Sequence, residues 1–381
     1  MMKSHSTVLP GSTLGMLGGG QLGGFFTEAA IRMGYKVVVW DPSDKAPAKR
    51  FAEKSLNADF LDFDSADEFL KNVEAVSLEW ENVPSELVHF LENKSIVKPT
   101  SKSLALAQNR ITEKAFLSNN NIPLTEYLPV NSFDEFAKVT FDTPWVIKTA
   151  TMGYDGHGQW NVNHLRDLQL IKPDLTTGPW VVERRVKYLC EISVIVVSDG
   201  SDNVVSFPVI ENSHSENILR MSVYPPRVPL KTQLNAKKIA EKVVVALDDP
   251  GVFCVEMFVV DDDIVLVNEI APRPHNSGHL TIDAFSVSQY EMQVRVLCGL
   301  PFSDPAPLTS VVMLNVLGFE MENLVKFHSI NELFDKTNAK LYMYGKDQIK
   351  HKRKLGHIIF TGKNIDDLID QANFIYDLIK V

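Results

Sequence analysis

The sequence feature that most constrains the fold is a glycine-rich turn, Gly18 to Gly23 (GGGQLG), which lies between an apolar run and a helical pattern. A short apolar run precedes it. A helical pattern follows as far as Met33, and Gly34 then provides a C-cap. The runs 36–40 and 75–78 are typical of buried parallel strands. This order predicts an α/β start to the chain: a Rossmann-like parallel sheet with crossover helices.

The same turn is the first of two candidate phosphate-binding segments. It fits the pattern G-x-G-x-x-G, and Asp41 stands 23 residues after Gly18, at the end of the next strand. Such turns bring phosphates to the backbone N–H groups of a helix N-terminus, so an NAD-dependent oxidoreductase is one hypothesis. The glycines could equally serve only to pack a strand against a helix, and the residues leave both interpretations open.

Near residues 100–125 the pattern changes, and from Trp145 onward β-rich runs dominate, which predict a mixed α+β region. Residues 101–118 fit one helix or two short ones, and prolines at 301, 305 and 307 mark a boundary. The strongest strand patterns are 145–148, 180–183, 191–197, 204–209, 251–260 and 264–270. We expect a Rossmann-like domain at 1–108, a region at 109–302 whose lid is about 120–190, and a small C-terminal segment at 303–381.

A second glycine-rich segment follows an apolar strand pattern that ends near Lys148. Gly153, Gly156 and Gly158 predict a loop with exposed N–H groups, and the lysine at the strand end can neutralise phosphate. The spacing is not that of a P-loop. A glycine-rich hairpin turn is the alternative, but it does not account for a lysine among residues predicted to be buried.

Two glutamates are predicted to face each other across a β-hairpin. The apolar runs 252–260 and 264–270 are joined by three aspartates, and a two-residue turn at Asp262 and Asp263 would place Glu256 directly opposite Glu269. Like charges so close need compensation, and Mg²⁺ favours one or two carboxylates together with substrate phosphates. A solvated face is the alternative, and we favour the metal site.

Two further segments are dense in polar or basic groups. Residues 271–279 (APRPHNSGH) hold Arg273 and His275 on a loop that two prolines stiffen, which suggests an anion or substrate site beside the paired glutamates. A basic cluster, Lys346 with residues 350–354, fits either a solvated loop or a phosphate-bearing small molecule.

The overall charge limits the possible partners. The chain has 38 Lys and Arg against 48 Asp and Glu, a net charge of −10, which disfavours nucleic acid and anionic membrane. Its three cysteines, Cys190, Cys254 and Cys298, form no C-x-x-C pair, and no apolar run approaches the ~20 residues that span a bilayer. We expect a cytoplasmic protein that acts on small molecules.

Taken together, the motifs resemble the ATP-grasp superfamily and, within it, the 5-(carboxyamino)imidazole ribonucleotide synthase family of purine biosynthesis. The resemblance runs from Gly15 to about His357. It rests on GGGQLG (18–23), EWENVP (79–84), GYDG with GQ (153–159), NEIAPRPHNSGH (268–279) and RKLGH (353–357). It implies an ATP-grasp fold after a pre-ATP-grasp domain, a homodimer, and an ATP- and Mg²⁺-dependent ligase. That ligase would carboxylate 5-aminoimidazole ribonucleotide with bicarbonate through carboxyphosphate.

The resemblance also implies site residues. Arg273, His275 and Lys148 would be catalytic, and Glu256 and Glu269 would hold Mg²⁺. ATP would contact Arg110, Lys148, Gly153, Tyr154, Asp155, Gly156, His157, Gly158, Gln159, Glu183, Arg184, Arg185, Val186, Glu191, His214, Asn268 and Glu269. The ribonucleotide would contact Gln21, Glu81, Tyr154, Asn276, Ser277, Lys346, Arg353 and Lys354.

Three other hypotheses stay open at this point. An ATP-grasp ligase acting on formate or another carboxylate would share most of the motifs. A non-catalytic nucleotide-binding regulator would share the fold, although the intact Lys148, Glu256 and Glu269 argue against it. The NAD-dependent oxidoreductase would use the first glycine turn, but it leaves these three residues and the second glycine loop without a role.

Overall fold

The computed structural model describes residues 7–153, 157–172, 175, 178–201, 203–350 and 352–380. Its N-terminal elements are β1 (Thr13–Leu17), α1 (Gln21–Arg32), β2 (Lys36–Trp40), β3 (Lys54–Leu56), α2 (Phe63–Leu70), β4 (Ala75–Leu78), α3 (Ser85–Glu92) and β5 (Ile96–Val97). Among the described residues these strands form a five-stranded parallel sheet in the order β3-β2-β1-β4-β5. Their apolar side chains are buried on both faces, as crossover helices require.

Two short helices lead from this sheet into the middle of the chain: α4 (Ser101–Ala107) and α5 (Arg110–Asn119). Gln108 is the C-cap of the first, and Asn109 caps the second, because its Oδ1 accepts from the N–H groups of Ile111 and Thr112. A four-stranded antiparallel sheet follows, in the order β6-β9-β7-β8. Its elements are β6 (Tyr127–Val130), β7 (Trp145–Thr149), β8 (Gln159–Val162), α6 (Asp167–Ile171) and β9 (Trp180–Arg184).

The largest sheet is antiparallel and runs through the rest of the described chain. Its strands are β10 (Cys190–Asp199), β11 (Val204–Ser206), β12 (Ile210–Ser215), β13 (Ile218–Tyr224), β14 (Pro250–Val259), β15 (Val265–Ala271), β16 (Ser310–Leu317), β17 (Lys340–Met343) and β18 (Lys354–Gly362). The order is β15-β14-β10-β12-β13-β16-β18-β17, and β11 pairs with β10. The helices around it are α7 (Leu230–Leu247), α8 (Thr281–Ala284), α9 (Gln289–Cys298), α10 (Glu320–Leu324), α11 (Phe327–Lys336) and α12 (Ile365–Ile379).

One helix belongs to two cores and so fixes the N-terminal sheet against the large one. The side chains of Tyr290, Val294 and Leu297 on α9 pack with α1 and β1, while Met292 and Val296 pack with β10, β14 and β16. A helix with apolar residues on opposite faces is buried on both of them. The carboxyl ends of the N-terminal strands therefore lie at a fixed position beside β14 and β15.

The sequence predicted most of these elements closely. Strands 36–40 and 75–78 are confirmed to the residue, and residues 101–118 form two helices rather than one. The predicted architecture, an N-terminal parallel sheet followed by mixed α/β parts, is also confirmed. No helix in the described ranges is both long and apolar enough to cross a membrane.

Candidate active site

A large cavity, about 1050 Å³, opens where the three sheets meet. It is lined by most of the predicted site residues: Gln21, Glu81, Arg110, Lys148, Gly153, His157, Gln159, Glu183, Arg184, Arg185, Val186, Glu191, His214, Glu256, Asn268, Glu269, Arg273, His275, Asn276, Lys346, Arg353 and Lys354. Gly158 and Ser277 are described but do not line it. Tyr154, Asp155 and Gly156, which were also predicted site residues, lie outside the described residues.

The β14–β15 hairpin places Glu256 directly opposite Glu269, as predicted, but by a different geometry. The two-residue turn at Asp262 and Asp263 is wrong: Val260 N–H donates to Ile264 O, so residues 261–263 form a three-residue loop. A β-bulge between Glu256 and Met257 restores the register. Asn268 is the extra residue of this bulge, and the bulge turns its side chain towards Lys148.

Each of the two carboxylates has a cationic or imidazole partner. Glu269 Oε2 accepts from Arg110 at 2.8 Å, and Glu256 Oε1 lies 2.7 Å from His275 Nε2. Burial would raise the pKa of Glu269, but Arg110 and then Lys148 outweigh it and lower that pKa to about 2. The pKa of Glu256 is also lowered, since His275 outweighs burial. Both groups are therefore anionic at neutral pH.

A buried charge cluster lies beside them. Lys148 Nζ is 3.1 Å from Glu183 Oε2 and donates to Asn268 Oδ1 at 3.2 Å. Lys114, fully buried, lies 3.3 Å from the other oxygen of Glu183 and donates to the backbone O of Asn268 at 2.9 Å. Lys148 thus ends an apolar strand, as predicted, with its charge compensated by a carboxylate and an amide.

Sequence reasoning missed the part that α5 plays in this cluster. Arg110, Glu113 and Lys114 lie on one face of the helix and contact three successive residues of β15. Glu113 accepts from Ile270 N–H at 2.7 Å, and burial raises its pKa to about 7. The signal was available: positions 110 and 114 are four apart, so they share a helix face.

The second glycine-rich loop, predicted to bind phosphate, begins directly after β7, as expected. Thr149 N–H donates to Gly158 O at 2.8 Å, and Arg110 donates to Gly153 O at 3.4 Å. Gly158 has φ +70° and packs on Thr149, so its importance lies in the backbone turn rather than in the cavity wall.

A second group of wall residues comes from the ends of β9, β10 and β12. Arg184, Arg185 and Val186 continue β9 along the cavity. Glu191 is held from two sides, because Tyr188 Oη donates to its Oε1 at 2.6 Å and His214 Nδ1 lies 2.6 Å from its Oε2. These contacts leave a fixed carboxylate at the cavity edge.

The first glycine-rich turn is closed by the chain's own carboxylates. Gly20 and Gly23 donate their N–H groups to Glu79 at 2.5 and 2.8 Å, and Gly19 donates to Asp41 at 2.7 Å. A Cβ atom on Gly20 would lie 2.5 Å from Glu79 Oε1. The N–H groups of Gly19, Gly20 and Gly23 are therefore engaged within the chain, which argues against a pyrophosphate at this turn and against the oxidoreductase hypothesis.

Beyond this turn lies a polar end of the cavity. The Arg273 guanidinium pairs with Glu81, and this contact keeps the pKa of Glu81 low although burial opposes it. Asn315 donates to Asn276 Oδ1 at 2.6 Å, which leaves Asn276 Nδ2 buried without a partner among the described residues. Such a donor is suited to a ligand acceptor.

Ser277 and the basic cluster, both predicted to contact the ribonucleotide, differ in their position relative to the cavity. Ser277 is fully buried behind His275 and bonded to His275 Nδ1, so it acts through that ring rather than on the cavity wall. The basic cluster, by contrast, does reach the cavity: Lys346, Lys350, Lys352, Arg353 and Lys354 all line it. Lys350 and Lys352 are also exposed, so the cluster both faces solvent and borders the cavity, and both alternatives stay open.

Comparison with known protein families gives three matches that together span most of the chain. The ribonucleotide synthetase preATP-grasp domain matches residues 12–108, and the ATP-grasp domain matches residues 115–290. The phosphoribosylaminoimidazole carboxylase C-terminal domain matches residues 311–371.

Individual proteins are similar over nearly their whole lengths. The N5-carboxyaminoimidazole ribonucleotide synthase of Bacillus subtilis is 35% identical over 370 residues, which are 97% of this chain and 96% of that protein. The crystal structure of the Staphylococcus aureus synthetase with ADP has a TM-score of 0.92 and 30% identity, covering 98% and 99% of the two chains. The Aspergillus clavatus enzyme with ADP and 5-aminoimidazole ribonucleotide has a TM-score of 0.87 and 27% identity, covering 97% and 99%.

Proposed function

The chain belongs to the N5-carboxyaminoimidazole ribonucleotide synthase family, an ATP-grasp family of purine biosynthesis, and from that premise we propose how its residues divide the reaction. The activity is the ATP-dependent carboxylation of 5-aminoimidazole ribonucleotide. In the proposed sequence a bicarbonate oxygen attacks the γ-phosphorus of ATP and ADP leaves. The carboxyphosphate then gives its carboxyl group to the amino nitrogen, which loses a proton, and phosphate leaves.

The observation that carries this proposal is the arrangement of one continuous cavity. Arg110, Lys148 and Glu269 line one part of it, while Gln21, Glu81 and the basic cluster line another. Arg273 and His275 lie on the loop that follows β15, where Arg273 contacts Glu81 and His275 contacts Glu256, opposite Glu269. A phosphoryl donor and a ribonucleotide acceptor can then be bound at once, with the activated carboxyl group between them.

We assign the ATP part to the residues of the small sheet and of β10 to β15. Arg110 and Lys148 neutralise phosphate charge, and Gly153, His157 and Gln159 of the second glycine-rich segment line the same cavity. We assign the backbone of Arg184 to Val186 to the adenine edge and the Glu191 carboxylate to the ribose hydroxyl groups. His214, which contacts Glu191, is assigned to the nucleotide as well. Exclusion of water is essential, because carboxyphosphate hydrolyses readily.

Mg²⁺ fits the donors that the hairpin presents. Glu256 and Glu269 face each other as anions, with the amide oxygen of Asn268 beside them, and all three are hard oxygen ligands. Among the described residues no group of three or more His, Cys, Asp or Glu side chains could hold a metal ion. Two carboxylates suffice for an ion that phosphates and water also ligate, and it would offset the negative charge of the triphosphate.

Arg273 and His275 are assigned to the carboxyl group in transfer. Arg273 is held by Glu81, and His275 is held between Ser277 and Glu256, so both groups are oriented before substrate binds. A fixed guanidinium can stabilise the developing charge of bicarbonate and carboxyphosphate without reorganising.

We assign the ribonucleotide to Gln21, Glu81 and Asn276, with the basic cluster on its phosphate. The unpartnered Asn276 Nδ2 supports this, since a buried donor without an acceptor is costly unless a ligand supplies one. Lys346, Arg353 and Lys354 supply the positive charge that a phosphate monoester needs.

Further predictions concern the chain as a whole. We propose domain borders near 108/109 and 302/303, which fall in the gaps between the three family matches. The homodimer and the cytoplasmic location stay predictions. The three free cysteines are consistent with a reducing compartment.

The test is ADP release from Mg-ATP and bicarbonate, with and without 5-aminoimidazole ribonucleotide, together with detection of the carboxylated product. ADP release that depends on the ribonucleotide supports the proposal. Arg273→Lys should reduce kcat about 100-fold or more, because a bidentate group is lost where charge develops. The matched control is Arg295→Lys on α9, whose partner Glu291 lies away from the cavity. ADP release without ribonucleotide dependence, or equal effects of both variants, would contradict it.

A further inference from the structure

A chain of buried polar side chains crosses the large sheet and ends at His275. Ser222 Oγ donates to Asn212 Oδ1 at 2.8 Å, and Asn212 Nδ2 donates to Ser193 Oγ at 2.8 Å. Ser193 Oγ lies 2.8 Å from Ser277 Oγ, which lies 2.9 Å from His275 Nδ1. We call these four side chains, Ser222, Asn212, Ser193 and Ser277, the relay.

The relay is set by strand register. Asn212 pairs directly with Ser222 across β12 and β13, and Ser193 pairs directly with Glu256 across β10 and β14. Paired residues project from the same face of a sheet, so the relay runs along the face that carries Glu256. Each of its four members is at most 4% exposed, so water does not compete for its hydrogen bonds.

The imidazole ring of His275 is held at both nitrogens, by Ser277 of the relay at one and by Glu256 at the other. Ser277 Oγ contacts Nδ1 at 2.9 Å, and Ser277 N–H also approaches Nδ1 at 3.3 Å. The opposite nitrogen, Nε2, lies 2.7 Å from Glu256 Oε1. An imidazole with both nitrogens engaged keeps one orientation, and an oriented ring in turn orients the carboxylate that it contacts.

A purely structural network would not need this arrangement. Apolar side chains fill a sheet interior without the cost of burying hydroxyl and amide groups, and Ile195, Ile210 and Cys254 do so further along the same face. The relay instead replaces apolar packing with linked hydroxyl and amide groups that lead to the cavity residue His275.

We propose that Ser277, Ser193 and Asn212 are positioning residues for carboxylation. They fix the ring of His275 and, through it, the carboxylate of Glu256. The inference rests on the proposed function, in which these two groups face the reacting carboxyl group and the phosphates. Positioning of this kind acts on the chemical step more than on substrate binding.

Ser193→Ala and Ser277→Ala test the proposal in the full-length protein. We expect kcat to fall about 10- to 100-fold, the usual effect of losing an outer hydrogen bond to a ligating group, with KM for ATP and ribonucleotide within about threefold of wild type. Ser222→Ala, at the far end, should have a smaller effect. Ser193→Thr, which keeps the hydroxyl group, should recover most of the lost rate.

The matched control is Ser206→Ala. Ser206 is a buried serine of the same sheet, but its hydroxyl donates to Glu241, outside the relay. We expect its kcat to stay within about twofold of wild type, as for a substitution that leaves the site intact. If Ser206→Ala loses as much rate as Ser193→Ala, general destabilisation explains both and the proposal is overturned.

A second readout does not depend on turnover. In ¹⁵N-histidine-labelled protein, the Nε2–H proton of His275 should give a downfield signal, which Ser193→Ala and Ser277→Ala shift or broaden and Ser206→Ala leaves unchanged. An unchanged signal in both relay variants would overturn the proposal, even with altered kcat. Because this signal exists without substrate, the relay can be tested even if the carboxylation assay of the wild-type protein fails.

Discussion

Replacement of Lys114 by methionine tests the buried charge cluster most directly. Lys114 is fully buried, and its Nζ lies 3.3 Å from Glu183 and donates to Asn268 O at 2.9 Å. Burial would raise the pKa of Glu183, but Lys114 and then Lys148 outweigh it and lower that pKa from 4.5 to about 2. Methionine keeps the apolar stem and removes the charge, so Lys148 is left as the closest cation to Glu183.

The magnitude follows from that pKa. A fall from 4.5 to about 2 corresponds, at about 1.4 kcal/mol per pKa unit, to about 3–4 kcal/mol of stability. Because the folded-state pKa is the lower one, this stability is fully present above about pH 5 and is lost as the pH falls towards 2. We expect Lys114→Met to lose about 2–3 kcal/mol at pH 7.5, since a buried carboxylate then keeps only part of its compensation.

Calorimetric melting at pH 7.5 measures this loss. At about 2–4 °C per kcal/mol for a unit of 150–250 residues, the transition should fall by about 4–12 °C. The control is Lys102→Met, an exposed lysine 4.0 Å from Asp248, which should melt within about 2 °C of wild type. If Lys114→Met melts no lower than this control, the lysine does not compensate Glu183 and the reasoning fails.

Three other variants have expected outcomes. Gly20→Ala should cost about 1–3 kcal/mol, read as a lower Tm, because its Cβ would lie 2.5 Å from Glu79; an unchanged Tm would contradict the close packing. The Tm of Glu113→Gln relative to that of the wild type should be higher at pH 8 than at pH 5. The pKa of Glu113 is raised to about 7, so the wild type loses stability as the pH rises from 4.5 to 7; parallel Tm–pH curves would refute this. Asn315→Leu should raise KM for the ribonucleotide about threefold to tenfold and leave KM for ATP unchanged, because Asn276 loses its orienting bond; equal changes in both would contradict it.

The sequence predicted the elements better than the contacts between them. The pairing of Glu256 with Glu269 came out right through two compensating errors, a turn one residue too short and an unrecognised bulge at Asn268. Both features depend on hydrogen bonds made after the chain has folded, for which a hydrophobic pattern carries no signal.

The site itself was predicted where charge or glycine stood out along the chain. Residues whose role depends on burial were missed, as Glu113 and Lys114 show: on an isolated helix they look like ordinary surface charges. Glu79 was missed as a site residue for a related reason. Its contact with the first glycine turn joins positions 56 and 59 residues apart in the chain, and only the parallel sheet brings them together.

The closed glycine turn limits which ligands this part of the fold can bind. Its glycines make room for an internal anion, so the chain already contains a substitute for the phosphate that such turns bind elsewhere. For the turn to bind a phosphorylated cofactor, Glu79 would first have to be replaced, and additional glycines would not free the N–H groups that it occupies. A search that ranks nucleotide sites by glycine spacing would score this turn highly, although its occupant is encoded in the same chain.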